Sequence, residues 1–189
     1  MVSSSIKSSE IRFGECNKQL LEEVIFYGIS LGADIVELFI ENSDNSSVLA
    51  EEDFITNVSP SFGKGAGIRI FKDKRDGFVS TNDLTKHGLM RSISQAIEML
   101  DISKRTNSSI FNGLKKLKDY SKSKIDWIKD VPTIYEVSEK LLISTKSLKK
   151  DKKVVVRKGS YSRNWQEVII ASSDGTYATD IRLHQTVGL

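Results

Sequence analysis

The stretch from Gly63 to Thr85 constrains this chain more than any other. Three glycines alternate along it, Gly63, Gly65 and Gly67. Strand side chains point to opposite faces with a period of two. One face of a strand here is therefore bare, while Ala66, Ile68 and Ile70 line the other. A bare face admits another backbone, or an extended peptide, at close range. Lys64–Phe71 and Gly77–Ser80 read as two strands joined by the charged segment Lys72–Asp76, with Asp76-Gly77 as the turn signal at its far end. Thr81, Asn82 or Asp83 can then cap a helix, because each side chain accepts from a free N–H of the first turn.

The remaining elements fall around this unit. Leu20, Leu21, Val24, Ile25, Gly28 and Leu31 lie on one face of a helix starting at Asn17. Gly32 can close it in the left-handed conformation. Ala33–Glu41 alternates as a strand. Asn42–Ser47 is a turn cluster. Ser47–Ala50 and Asp53–Val58 read as short strands, ended by Pro60, which cannot donate to a ladder. Leu84, Leu89, Ile93, Ala96, Ile97 and Leu100 give the second helix its apolar stripe, ending near Ser103. Gly88 inside it suggests close packing on a sheet.

Pro132 suits the first turn of a third helix, whose buried positions are Val137, Leu141, Ile143, Thr145 and Leu148. Lys153–Tyr161, Trp165–Ser172 and Thr176–Leu189 form a closing meander, with Asp174-Gly175 as a strong hairpin signal. The fold class is α+β: mainly antiparallel meanders covered by helices, with a helix-then-meander order that occurs twice and hints at duplication. The expected organisation is a disordered tail at 1–15, a first helix/meander/helix unit at 16–103, a Lys/Ser-rich connection at 104–130, and a helix plus meander at 131–189. That connection is anchored by Phe111, Leu114, Leu117, Tyr120 and Trp127. The last strand stops at Leu189 without a polar end, so the chain is expected to be cut short, with an unprotected edge there.

Composition narrows the class. The chain has 189 residues, one cysteine and a net charge of +3. A lone Cys16 excludes an intrachain disulfide and points to a reducing cytoplasm. No apolar run reaches membrane-spanning length, and the N-terminus lacks a signal-peptide core. The sequons at Asn45, Asn57 and Asn107 are therefore expected to stay unmodified. The lysines between Lys115 and Lys124 could attract phosphates, with Tyr120 and Trp127 stacking on bases. A nucleic-acid partner is not expected, because the basic excess is small.

Chemical motifs are scarce. Gly63-x-Gly-x-Gly67 is followed by a strand and a hairpin, not by the helix that a dinucleotide fingerprint requires. No Walker A loop and no G-x-S-x-G elbow occur. His87 and His184 are the only histidines and lie far apart, and no H-E-x-x-H exists, so zinc ligands are not evident. Cys16 precedes a helix but has no evident base partner. Arg69 and Arg182 could clamp a carboxylate or form intramolecular ion pairs. Residue chemistry alone yields no catalytic, cofactor-binding or metal-binding residue.

Three blocks carry a resemblance: Ser47–Ile55, then Gly65–Arg69 with Asp76–Thr81, and finally Trp165–Arg182. In this order they resemble the N-terminal region of the TldD/PmbA proteins, the modulator of DNA gyrase or microcin-maturation family. The last block is closer to TldD than to its PmbA (TldE) partner. The resemblance implies a cytosolic zinc metalloprotease that works as a TldD–TldE pair on small or unfolded peptides. Its metal motif is H-E-x-x-x-H on a helix, with a later cysteine ligand. None of those positions is matched here. The resemblance therefore implies a truncated, non-catalytic part that serves as scaffold, dimerisation surface and substrate-channel wall, binding no zinc itself. Its implied partners are a TldE/PmbA-like subunit or a second copy, and an extended peptide. The alternative is a stand-alone module that binds a peptide or partner through an exposed sheet edge.

Overall fold

The computed structural model describes residues 16–101, 110–117 and 131–189. The expected tail at 1–15, and Tyr120 and Trp127 of the connection, lie outside these residues. Among the described residues, three α-helices and six strands form a mixed α+β fold. The helices are α1 (Lys18–Ser30), α2 (Lys86–Met99) and α3 (Ile134–Ser147). The strands are β1 (Ile35–Glu51), β2 (Phe54–Lys72), β3 (Arg75–Thr81), β4 (Lys115–Lys116), β5 (Lys158–Ser172) and β6 (Thr176–Gly188). They make one mostly antiparallel sheet in the order β3-β2-β1-β5-β6-β4.

The helices start where side chains satisfy free N–H groups. The Asn17 side chain accepts from the Leu20 N–H at 3.0 Å. α2 is capped by Thr85, which accepts from the Gly88 N–H at 3.1 Å. The cap thus falls later than Thr81, Asn82 or Asp83. Asp83 instead receives the Thr85 N–H at 3.1 Å and its hydroxyl at 2.6 Å, pre-forming the turn. α3 has a full capping box between Thr133 and Glu136, so Pro132 lies just outside the helix. α2 stops at Met99, with Leu100 as C-cap, short of Ser103.

The strands are longer and fewer than the turn residues imply. Asn42–Ser47 is not a turn; β1 runs through it, with Ser43 and Ser46 buried. The chain reverses instead at Glu52-Asp53, where Glu52 takes a φ of 55°. Pro60 does not end pairing, because β2 continues to Lys72. β3 pairs with β2 only from Ala66 to Lys72, so Pro60 lies on a stretch of β2 that β3 does not reach, the kind of edge position where proline is tolerated.

The next reversal is not at Asp76-Gly77. Asp73 and Lys74 make it, with φ values of 47° and 68°, as a two-residue type I′ connection requires. Gly77 lies within β3 opposite Ile70, and a Cβ there would meet the Ala96 carbonyl and Leu100 Cγ, both at 3.2 Å. The closing meander has two strands, not three: β5 is continuous through Ser162–Asn164. Its turn at Asp174-Gly175 is as expected, with Gly175 at φ 100°. β6 is not the outermost strand at its start, since Lys115 and Lys116 of the connection pair with it in parallel at Thr176 and Tyr177.

Two compact units divide the molecule, and the long strands pass through both. The first takes the described residues of Met1–Asn42, Lys64–Asp119 and Glu167–Asp180. α1 packs on α2, and α2 on β3. Leu21, Val24, Ile25, Ile68, Ile70, Leu89 and Ile93 fill its core with no exposed surface; each contributes about 1.5–3 kcal/mol by burial. The second unit takes Ser43–Gly63, the described part of Tyr120–Gln166, and Ile181–Leu189. Val137 and Leu141 of α3 pack there with Val48, Ala50 and Tyr161. α3 approaches β5 closely, since a Cβ on Gly159 would meet Leu141 and Thr145 at 2.9 Å. Ile143, expected to be buried, points to solvent at 68% exposure.

Candidate functional site

The residues singled out for chemistry do not assemble. Arg69 is tied to Asp76 at 3.0 Å, and its guanidinium lies over the Phe71 ring at 4.6 Å, which is the intramolecular role. Arg182 reaches Gln166 at 3.4 Å. His87 and His184 are exposed, in different units. Cys16 is buried and donates its thiol to the Leu84 carbonyl at 3.2 Å. Among the described residues these donors do not form a zinc site: the Cys16 thiol faces a carbonyl. Among the described residues no three His, Cys, Asp or Glu side chains come together as metal ligands.

Neighbouring groups fill the bare glycine face. A Cβ on Gly67 would lie 3.1 Å from the Phe78 ring, and one on Gly65 would lie 3.1 Å from the Thr81 carbonyl. Gly65 and Gly67 therefore accommodate β3, Gly63 accommodates Ser43 of β1, whose Oγ a Cβ there would meet at 2.8 Å, and no peptide is needed to explain them. The open part of β2 is the preceding arm, Phe54–Lys64. Ten of these 11 residues are exposed, Ile55 alone being half-buried against the second core. Phe54, Val58, Pro60 and Phe62 fall on one face by the two-residue period, and Asn57, Ser59 and Ser61 on the other. No sequence signal separates this arm from a short strand ended at Pro60; its exposure becomes visible only once β3 is seen to stop at Thr81.

A fixed charge cluster holds the base of this arm. Arg157, 9% exposed, pairs with Glu52 and with Asp53 at 3.2 Å, and donates to the Thr145 carbonyl at 3.4 Å. The Arg157 N–H and guanidinium hold the Glu52 carboxyl below its ordinary range. This links α3, β5 and the β1–β2 turn. In the first unit, a groove of about 560 Å³ runs between α1, α2 and Phe111, with Phe26, Tyr27 and Met90 in its wall. Its acids are already engaged: Glu22 pairs with Lys18 at 3.4 Å and accepts the Leu114 N–H at 2.9 Å. Glu23 is held below its usual range by hydrogen bonding to Lys86 and by the charge of Lys86. The groove therefore offers apolar surface and no reactive group.

Residues 36–100 match the family domain described as PmbA/TldA metallopeptidase domain 1, and residues 117–189 match the PmbA/TldA metallopeptidase central domain. The chain belongs to the PmbA/TldD metallopeptidase family. The two matched segments are consecutive and together cover well over half of the sequence. A metalloprotease of Methanocaldococcus jannaschii is 25% identical over 166 residues, covering 85% of this chain and 35% of its own length. Among solved structures, TldE from Thermococcus kodakarensis superposes with a TM-score of 0.71 at 22% identity, over 89% of this chain and 38% of that one. A structure from Thermotoga maritima, named for modulation of DNA gyrase, gives 0.68 at 12% identity, over 89% and 38%. These two show a shared fold. This PmbA/TldD chain spans just over a third of the length of these relatives.

Proposed function

We propose that this chain supplies the first and central domains of a TldD-like zinc metallopeptidase, and that it is the scaffold of that enzyme and not its catalytic part. The carrying observation is which part of the family is matched: the first and central domains, consecutively. The family's H-E-x-x-x-H motif has no counterpart in the sequence, whose two histidines are His87 and His184.

In this reading zinc and the water-activating glutamate come from other sequence of the assembled enzyme. The chain contributes walls around an extended peptide and a surface for a TldE/PmbA-like subunit or a second copy. Its place is the cytoplasm, a reading supported by a cysteine count of one, Cys16; among the described residues no helix is long and apolar enough to cross a membrane. The test is metal analysis and a peptide-cleavage assay on the purified chain. Sub-stoichiometric zinc and no turnover are expected.

A further inference from the structure

We infer that Asn112 is a self-modification site: the Gly113 backbone nitrogen attacks its side-chain amide, and the isoaspartate that results releases Leu114–Lys116 from the first unit. Asn112 is the only asparagine in the sequence that precedes a glycine. The reaction favours glycine there, because a side chain on the following residue would crowd the attacking nitrogen and restrict the backbone turn it must make. A bond forms between Gly113 N and Asn112 Cγ, the Gly113 N–H proton is lost to base, and the side-chain nitrogen leaves with a proton as ammonia. Water then opens the cyclic imide. Opening at Cγ gives aspartate. Opening at the main-chain carbonyl of residue 112 leaves the chain running through Cβ, as isoaspartate.

The fold selects this position. Asn112 is exposed and lies between α2 and β4, outside both elements. Gly113 follows at a φ of 83°, which glycine adopts freely. Two Asp-Gly pairs could form the same imide, and the fold restrains both. Gly77 is held in the β2–β3 ladder opposite Ile70, and Asp76 is tied to Arg69 at 3.0 Å. Asp174 accepts the Thr176 N–H at 2.8 Å and is kept ionised by it, and an ionised carboxylate resists attack. The consequence follows from what flanks Asn112. Phe111 packs on the first core, and Leu114 is buried in it at 4% exposure. The Leu114 N–H is donated to Glu22 at 2.9 Å, and the Lys115 N–H to the Gly175 carbonyl at 2.7 Å. Isoaspartate inserts an extra main-chain atom between these two anchors. A Cβ on Gly113 would already lie 3.4 Å from Glu22 Oε1, so the added length and the added negative charge arrive beside an acid.

The test ages the purified full chain in mildly alkaline buffer, which favours loss of the Gly113 proton, and follows it by peptide mass spectrometry with fragmentation that separates isoaspartate from aspartate. Conversion at Asn112 is expected ahead of every other asparagine, with isoaspartate the larger product and Asp76 and Asp174 unchanged over the same period. The aged form is then separated by ion exchange. Its Leu114 and Lys115 amide hydrogens should exchange about tenfold faster than in the fresh chain, while those of α2 keep their rates. Asn112→Gln closes the imide ring far more slowly and is expected to age with neither change. The inference is overturned if another asparagine converts first, or if an Asp-Gly pair isomerises as fast as Asn112 reacts. It is equally overturned if the isoaspartate form keeps the exchange rates of the fresh chain, or if aged Asn112→Gln loses the same protection. Zinc content and turnover enter none of these readouts, so the scaffold reading and this inference stand or fall separately.

Discussion

The carboxylate of Asp83 occupies the space that a side chain on Gly88 would need: a Cβ built there lies 2.2 Å from Asp83 Cγ. The glycine inside α2 is thus matched to the turn before the helix, and not to the sheet beneath it. The two positions are expected to be coupled. In an Asp83→Ser background, Gly88→Ala should raise stability by about 0.5–1 kcal/mol, the ordinary helix preference for alanine. In the parent the same change must displace Asp83 from Thr85, and the gain should disappear. Urea unfolding of the four variants measures this coupling.

Leu141 and Ile143 are two residues apart on α3, yet only Leu141 is buried, at 4% exposure against 68%. Leu141→Ala should cost about 2–5 kcal/mol, because it empties space beside Tyr161 and Gly159. Ile143→Ser should change stability by less than about 0.5 kcal/mol. Equal losses in urea unfolding would contradict the assigned face.

Thr133 accepts the Glu136 N–H at 3.2 Å and opens the capping box of α3. Thr133→Ala should cost about 1 kcal/mol, and Thr133→Ser should restore most of it. A loss of the same size in the serine variant would show that packing and not capping carries the effect.

The hairpin at Gly175 carries a pH dependence of defined sign. Asp174 is held below its ordinary value of 3.8 chiefly by the Thr176 N–H, which it accepts at 2.8 Å. A carboxyl with a lowered folded-state pKa contributes stability that is fully present above its unfolded value. That stability is lost as pH falls through the folded one. The contribution should therefore hold at neutral pH and vanish in acid below about pH 4. Asp174→Asn removes the charge, so its stability should differ from the parent's most at neutral pH and least in strong acid. Thermal melts across that range check the sign.

The helices and the α+β class were legible because burial imposes periodicity. Leu21, Val24, Ile25 and Gly28 of α1, and Leu89, Ile93, Ala96 and Ile97 of α2, recur at helical spacing and are all buried. Strand lengths were not legible. Asn42–Ser47 has the composition of a turn, but its backbone is committed to a ladder with distant partners that local preference does not report. Asp76-Gly77 has the composition of a hairpin, yet its glycine answers to Ala96 and Leu100 across the fold. Two histidines far apart in sequence, His87 and His184, are all the imidazoles the chain offers. The open β2 arm was not legible, because exposure of an edge depends on where β3 ends.

Whether this chain is a non-catalytic part of a PmbA/TldD metallopeptidase, as proposed, is decided by metal content and peptide turnover of the purified chain. The purified chain, incubated with zinc and dialysed, is expected to retain well under one zinc per chain and to leave an unstructured peptide substrate intact. One zinc per chain, with turnover that a chelator abolishes, would contradict the account.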